Sequence, residues 1–369
     1  MKIGKNDILI ILPLSVLLIL GLVMVTSSSI YIADGMTFNP FHFAQRQTLF
    51  VSIGLIAMII FLVLPSDFLY KIDWVFMLLS IFLLIILFIP DIGTSVNGSI
   101  RWIRIGPINV QPSEICKFSL ILYISGYSVR RMSEINSLRS FLKPLILLFI
   151  ISILIMQQPD LGSTAIVCML VLGILFYAGI SFSQLTLLTL LIALLGYLAI
   201  TTSPMRLARV LAFTDPFAAD VVQKAGWQLS NSLISIGQGG WLGVGLGNSF
   251  QKSFFLPEAH TDFIFAILVE ELGIIGGLFL IILFVIMLIG LMSVAFESFK
   301  KGRLFQGYTV FGIFLLISIQ TLLNIGVNIG LLPTKGLTLP FISYGGTSII
   351  IMLSLIGIVL RINNENKIL

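Results

Sequence analysis

Charge is scarce in this chain. Only 10% of its 369 residues are Asp, Glu, Lys or Arg, against 58% hydrophobic residues, whereas soluble domains carry roughly 25% charged residues. That deficit excludes a soluble globular protein and leaves an integral membrane protein. Cysteine is nearly absent: Cys116 and Cys168 both sit in apolar runs, so neither a disulfide framework nor a cysteine metal motif follows. Nucleotide signatures are missing too. The glycine-dense stretch Gly237–Gly247 has no Gly-Lys-Ser/Thr ending, which removes the phosphate-cradling lysine of a P-loop. No strand–turn–helix unit surrounds it, as a dinucleotide fold requires. Nothing points to nucleic acid or a soluble domain, and the tail after Arg361 is too short to fold alone.

What the chain does have is apolar runs from end to end. A bilayer core needs about 20 apolar residues per helix. The runs predict an all-α integral membrane protein of about ten transmembrane helices in one polytopic unit, residues 1–369. The predicted spans are Ile8–Val25, Thr48–Leu64, Trp74–Ile89, Ile115–Tyr127, Pro144–Met156, Ser163–Ile180, Leu185–Ile200, Phe263–Met292, Tyr308–Ile329 and Ser348–Leu360. The first follows Lys2 and Lys5 as a signal peptide would, but lacks a small-residue cleavage site and reads as a retained span. An even number of spans puts both termini on one side.

Lys and Arg in short loops set orientation. With the N-terminus cytoplasmic, three basic clusters lie inside: Lys2 and Lys5, Arg130 through Lys143, and Lys300 through Arg303. Arg46, Arg101, Arg104, Lys117, Arg206, Arg209, Lys224, Lys252 and Lys335 then lie outside. So many outer cations weaken the topology signal. They suit an anionic ligand such as a diphosphate as well as anionic lipid headgroups.

The concentrated polarity also faces out. The break between the seventh and eighth spans, residues 201–262, is a large extracytoplasmic loop. In it Met205–Phe213 suits a short interfacial helix with Arg206 and Arg209 on one face. Gly237–Gly247 permits close backbone approach and suits a lid or re-entrant element, which membrane depth tolerates only when protein covers it or it lines a cavity. The loop ends in Leu256-Pro257-Glu258-Ala259-His260-Thr261-Asp262, then an apolar helix bearing Glu270 and Glu271 at membrane depth. Ionisable groups there are costly and usually functional. Other outer motifs are Asn97-Gly98-Ser99-Ile100-Arg101-Trp102-Ile103-Arg104-Ile105-Gly106-Pro107, Gln111-Pro112-Ser113-Glu114, Gln157-Gln158-Pro159-Asp160-Leu161-Gly162, Pro333-Thr334-Lys335-Gly336 and Ser343-Tyr344-Gly345-Gly346.

With Arg46-Gln47 before the second span, these motifs resemble, in order and over essentially the whole chain, the SEDS family (shape, elongation, division and sporulation) of polytopic peptidoglycan polymerases. Pro257–Asp262 and Pro333–Gly336 look more like the division branch, FtsW, than the elongation branch, RodA. The resemblance implies polymerisation of lipid II, a disaccharide-pentapeptide on undecaprenyl diphosphate, outside the cytoplasmic (inner) membrane and at the division septum. It maps an essential aspartate onto Asp262 and a lysine onto Lys335. It also implies a class B penicillin-binding protein partner, FtsI-like, because the chain carries no crosslinking domain, with FtsQ, FtsL, FtsB and FtsN as regulators.

Residue chemistry fits that implication. Glycosyl transfer needs a base for the acceptor hydroxyl and positive charge for the departing diphosphate. Asp262 can serve as the base; Lys335, Arg101, Arg104, Arg206, Arg209 and Lys252 are candidate cations. An α-linked donor and a β-1,4 product need one inverting displacement and no second nucleophilic carboxylate. Plainer readings stand beside these. Asp262 and Asp160 suit helix caps, Lys335 can snorkel to headgroups, and Arg101 and Arg104 flank an interfacial Trp102. Glu258, a turn before Asp262, can tune it. With His260 the two carboxylates could hold a divalent cation, although the spacing matches no recognised motif; Mg²⁺ suits a diphosphate substrate. Glu270 and Glu271 read as structural or gating groups paired with Arg or Lys, and Glu114 as structural. A lipid II flippase is the rival class, but it should carry ionisable groups through the midplane and inverted repeats of broken helices. An elongation polymerase and an activating scaffold are further alternatives.

Overall fold

The computed structural model describes residues 4–96, 99–106, 108–135, 137–219, 221–253 and 255–368. Lys2 of the basic N-terminus, and Asn97, Gly98 and Pro107 of the arginine motif, lie outside the described residues. The chain forms helices α1 (Lys5–Thr37), α2 (His42–Val63) and α3 (Ser66–Ile86), then strands β1 (Gly93–Val96), β2 (Ser99–Ile105) and β3 (Ile108–Val110). Helices α4 (Pro112–Arg130), α5 (Leu138–Met156), α6 (Leu161–Tyr177), α7 (Phe182–Thr201), α8 (Pro204–Thr214) and α9 (Trp227–Gly239) follow. Last come α10 (Ile264–Lys300), α11 (Leu304–Asn328) and α12 (Gly346–Ile368).

Each of the ten apolar runs falls on a helix. Among the described residues, α1, α2, α3, α7, α10, α11 and α12 are long and apolar enough to cross a membrane, and α5 and α6 are shorter apolar helices. The protein is a multi-pass membrane protein. Helix α3 shows the logic of a lipid-facing span. Trp74, Val75, Leu78, Leu79 and Phe82 are exposed, whereas Asp73, Met77, Ser80 and Leu84, on the other face, are buried. One core joins α1, α2, α10, α11 and α12; a second joins α3 to α6. Helices α2 and α12 pack closely, with Gly54 against Leu353 and Ile350 of α12, as small residues allow in membranes.

Four features depart from the sequence expectations. A three-stranded antiparallel sheet, ordered β1-β2-β3, carries Arg101 and Arg104 in a chain whose sequence predicts an all-α protein. Helix α2 starts early enough to contain Arg46 and Gln47. The 201–262 segment holds the expected short helix as α8, but also α9, which absorbs Gly237 and Gly239 of the glycine stretch. Finally, α10 is 37 residues long, about 55 Å at 1.5 Å per residue, and is broken at Gly273, where φ is 74° and ψ is 179°.

The break has a partner. The glycine loop after α9 lies along it, so the amides of Val244 and Gly245 donate to the carbonyls of Glu270 and Glu271 at 2.9 and 3.1 Å. In return, the amides of Ile274 and Ile275 donate to the carbonyls of Gly240 and Trp241 at 2.9 and 3.3 Å. The glycine loop is therefore backbone-paired to a broken helix, and each satisfies polar groups the other leaves open.

One end of the bundle gathers both termini. The Ser66 amide at the start of α3 donates to Glu365 of α12 at 3.0 Å, Arg303 at the α10–α11 junction also pairs with Glu365, and Lys367 pairs with Asp7 of α1. The start of α10, with Asp262, lies at the opposite end.

Candidate active site

Segment 256–263 turns tightly before α10 begins. Asp262 precedes the cap position, Phe263, and no side-chain cap bond forms there. The first-turn amide of Ala266 instead donates to Oδ1 of Asn328, at 3.1 Å. The Asp262 carboxyl is thus spared the capping role. Its backbone carbonyl is what the fold grips: Nδ2 of Asn324 and of Asn328 donate to it at 2.9 and 3.0 Å.

Three other segments close around this turn. The Ser343 hydroxyl donates to the Thr261 carbonyl at 2.6 Å and accepts from the Leu339 amide at 2.8 Å, while the Tyr344 amide donates to the His260 carbonyl at 2.9 Å. Gln47 in turn holds the Ser343 carbonyl at 3.2 Å. From β2, Arg101 donates to the carbonyls of Gln158 and Pro159 at 3.1 and 2.7 Å. Gly336 faces both Asp262 and Arg101: a β-carbon there would sit 3.2 Å from Oδ2 of the one and 4.0 Å from Nη1 of the other.

Asp262 keeps some solvent contact yet is densely walled by protein. Its pKa is pushed up to about 8, first by that desolvation and then by the negative charges of Glu258 and Asp160, against the opposing pull of Arg101 and Arg209. A carboxyl tuned near neutral pH suits a general base.

The remaining predicted residues separate into two groups. Arg101, Arg209 and Glu258 act electrostatically on Asp262, as does Asp160 from its place at the start of α6. Lys335 is half-buried in the neighbouring loop, makes no hydrogen bond or ion pair among the described residues, and has its pKa lowered by burial. Arg104, three residues along β2, is exposed. Of these residues, Arg101, Arg209, Glu258 and Asp160 reach the aspartate.

The rest are engaged elsewhere. Lys252 does not present a free cation: it is buried, ion-paired with Glu271 at 2.8 Å, and donates to the Ser27 hydroxyl and the Gly247 carbonyl at 3.0 and 2.6 Å. Arg206 parts from Arg209 and donates to the Ala199 carbonyl near the end of α7 at 2.9 Å. His260 is enclosed, its ring 4.6 Å from Phe43 and 5.7 Å from Tyr344, and burial lowers its pKa. Asp160 caps α6, accepting from the Ser163 amide and hydroxyl at 3.0 and 2.7 Å. Glu114 pairs with buried Lys117 at 2.6 Å.

Glu271 has its lysine, but Glu270 has none. It accepts instead from the Ser235 and Ser249 hydroxyls at 2.6 Å each and from the Phe250 amide at 2.8 Å. The expected Arg or Lys partner is replaced by neutral donors, because α9 and the loop supply them at closer range.

Among the described residues no three His, Cys, Asp or Glu side chains gather as a metal site. Glu258 accepts from the Thr261 hydroxyl at 2.6 Å, and the His260 ring is packed between aromatics.

Sequence reasoning missed Asn324 and Asn328. They bind the Asp262 turn, and Asn324 also donates to the Leu337 carbonyl at 2.6 Å, tying the Lys335 loop to it. Two asparagines four apart on one face of an apolar helix were the available signal.

Whole-chain similarity points the same way as this arrangement. The sequence profile of the family described as cell cycle protein (FtsW, RodA, SpoVE) matches residues 7–368. The chain belongs to the FtsW/RodA/SpoVE family. It is 44% identical over 352 residues to the probable peptidoglycan glycosyltransferase FtsW of Legionella pneumophila, covering 95% of this chain and 89% of that protein. With the protein of the same description from Taylorella equigenitalis it shares 43% identity over 354 residues, covering 95% and 96%. Among solved structures, a chain of a peptidoglycan synthase complex that coordinates polymerization and crosslinking superposes with a TM-score of 0.78 at 25% identity, over 96% of this chain and 97% of that one. The RodA rod shape determining protein of Thermus thermophilus shares the fold, with a TM-score of 0.70 at 23% identity over 96% of each chain.

Proposed function

We propose that this FtsW/RodA/SpoVE member is a peptidoglycan glycosyltransferase of the division type, polymerising lipid II into β-1,4-linked strands for septal wall synthesis. The observation that carries this reading is the uncommitted, proton-poised carboxyl of Asp262 in the field of Arg101 and Arg209, with Gly336 of the Lys335 loop packed against it. Asp262 takes the proton of the acceptor 4-hydroxyl as that oxygen attacks the donor's anomeric carbon. The bond from that carbon to the diphosphate breaks in the same inverting step. Lys335, Arg101, Arg209 and exposed Arg104 stabilise the departing diphosphate. Any Mg²⁺ would travel with that diphosphate rather than sit in a protein cage.

The site faces outward and both termini are cytoplasmic, in keeping with the basic clusters. Crosslinking falls to a class B penicillin-binding protein, FtsI-like, with FtsQ, FtsL, FtsB and FtsN as regulators. The break in α10 is the one feature that favours a flippase. Its backbone is paired with the glycine loop and its two glutamates are tied to serines and Lys252, so the ionisable groups at depth serve architecture.

The test is lipid II polymerisation by the purified protein with a transpeptidase-dead, glycosyltransferase-free partner, comparing wild type with Asp262→Asn. Strands from wild type and none from a folded Asp262→Asn protein support the reading. Equal strands from both sink the Asp262 mechanism, and lipid II crossing the bilayer without strands makes the chain a flippase.

A further inference from the structure

At the termini end of the bundle, far from Asp262, a groove of about 410 Å³ opens between α3 and α4, lined by Tyr70, Lys71, Trp74, Tyr123 and Arg130. None of these residues takes part in the chemistry above. Arg130 is set in place. Its Nη1 donates to buried Asp73 at 2.7 Å, and its guanidinium lies 5.5 Å from the centre of the Tyr70 ring and 5.9 Å from that of Tyr123. Tyr70 is itself braced on Phe305 at 4.9 Å. A guanidinium has five N–H donors; Asp73 takes one, and 38% of the Arg130 side chain remains exposed. Lys71 is exposed and makes no hydrogen bond or ion pair among the described residues. With Asp73 neutralising one of the two cations, the groove carries one net positive charge.

The apolar side of the groove continues onto lipid. Trp74, Leu78 and Phe82, each four residues apart on α3, are exposed by 54%, 57% and 58%. Trp and Tyr near a span end mark the level of the headgroups. A phosphate-binding fork, a second cation and an interfacial aromatic wall above an acyl-length apolar stripe form the pattern of a basic lipid pocket between helices.

We propose that this groove binds the phosphate headgroup of an anionic phospholipid, phosphatidylglycerol in the first instance, from the leaflet on the side of the termini. Arg130 and Lys71 clamp the phosphate, Trp74 and the tyrosines flank the glycerol, and the acyl chains run along Leu78 and Phe82. Assigning that leaflet to the cytoplasm rests on the orientation adopted above; the binding itself does not depend on it.

Native mass spectrometry of the full chain in detergent, titrated with phosphatidylglycerol or phosphatidylcholine, tests this. Lys71→Gln removes a side chain with no partner, so the fold is preserved, as a thermal scan verifies. The expected result is about fivefold weaker phosphatidylglycerol binding, unchanged phosphatidylcholine binding, and no loss in Lys300→Gln, an exposed cation at the same end outside the groove. Asp262→Asn should bind like wild type, which separates this site from the polymerase reading. Unchanged affinity in Lys71→Gln overturns the proposal. So does an equal loss in Lys300→Gln, which means diffuse surface charge, or displacement of the lipid by inorganic phosphate at matched concentration, which means a free-anion site.

Discussion

Asp262 works through what surrounds it. On the proposed mechanism it is a base and must be deprotonated, and burial with Glu258 and Asp160 holds its pKa up at about 8. The acidic limb of kcat/KM should therefore lie near pH 8, with activity rising as pH rises through it. Glu258→Gln removes a like charge, lowers the Asp262 pKa and should move that limb to lower pH. Arg101→Ala removes an opposite charge and should move it up. A pH–rate profile of each variant checks both signs, and a limb that stays put in Glu258→Gln refutes the coupling. On the same proposal Lys335, partly desolvated and without an ion pair among the described residues, is the cation for the diphosphate. Lys335→Ala should lower kcat by about 10²-fold with little change in thermal stability, measured by polymerisation rate and unfolding in detergent.

At the scale of elements, the broken α10 and the glycine loop stand or fall together. Gly243 has φ of 79°, and a β-carbon there would sit 2.2 Å from the Glu271 carbonyl oxygen. Gly243→Ala meets both backbone strain, about 1–3 kcal/mol, and a steric clash, and should lower the unfolding temperature in detergent. Lys252→Met leaves Glu271 buried without its cation, a loss of about 3–5 kcal/mol. Lys252→Met with Glu271→Gln should recover part of it; a double variant no better than the single one would rule out the ion pair as the cause. Asn324 is the brace between the catalytic turn and the Lys335 loop. Asn324→Ala leaves the Leu337 carbonyl unsatisfied, at about 1–3 kcal/mol, and should reduce polymerisation beyond what the stability loss explains.

Across the whole molecule, the proposed site and the polar knot of the termini lie at opposite ends. The termini, Ser66, Arg303 and Glu365 form one polar knot; Asp262, Arg101, Lys335 and the Ser343 turn form the other. Single cysteines at Arg104 and Lys300 should report this segregation. In intact cells a membrane-impermeant thiol reagent should label the first and spare the second. Native Cys116 and Cys168 are both buried and add no background. Labelling of the Lys300 position alone would invert the orientation.

That the chain crosses a membrane many times, and that its few charges gather in polar motifs between apolar helices, was legible in the sequence, because apolar length and the rarity of charge in a membrane protein are one-dimensional signals. Lys252 shows where that reading stops. As a cation in an outer loop it looked like a diphosphate ligand, and only its proximity to Glu271 and Ser27, distant in sequence, made it structural. Arg206 and Arg209 share a helix face by spacing, yet one meets the end of α7 and the other the field of Asp262. The α10 break was hidden because Gly273 is an unremarkable residue in an apolar helix until the glycine loop arrives to satisfy the carbonyls it frees. Composition and hydrophobic run length therefore settled that this chain crosses a membrane repeatedly and where its rare charges fall along the sequence. Which of those charges are left unpaired for substrate was decided only by tertiary structure, since pairing depends on approach through space between segments far apart in the chain.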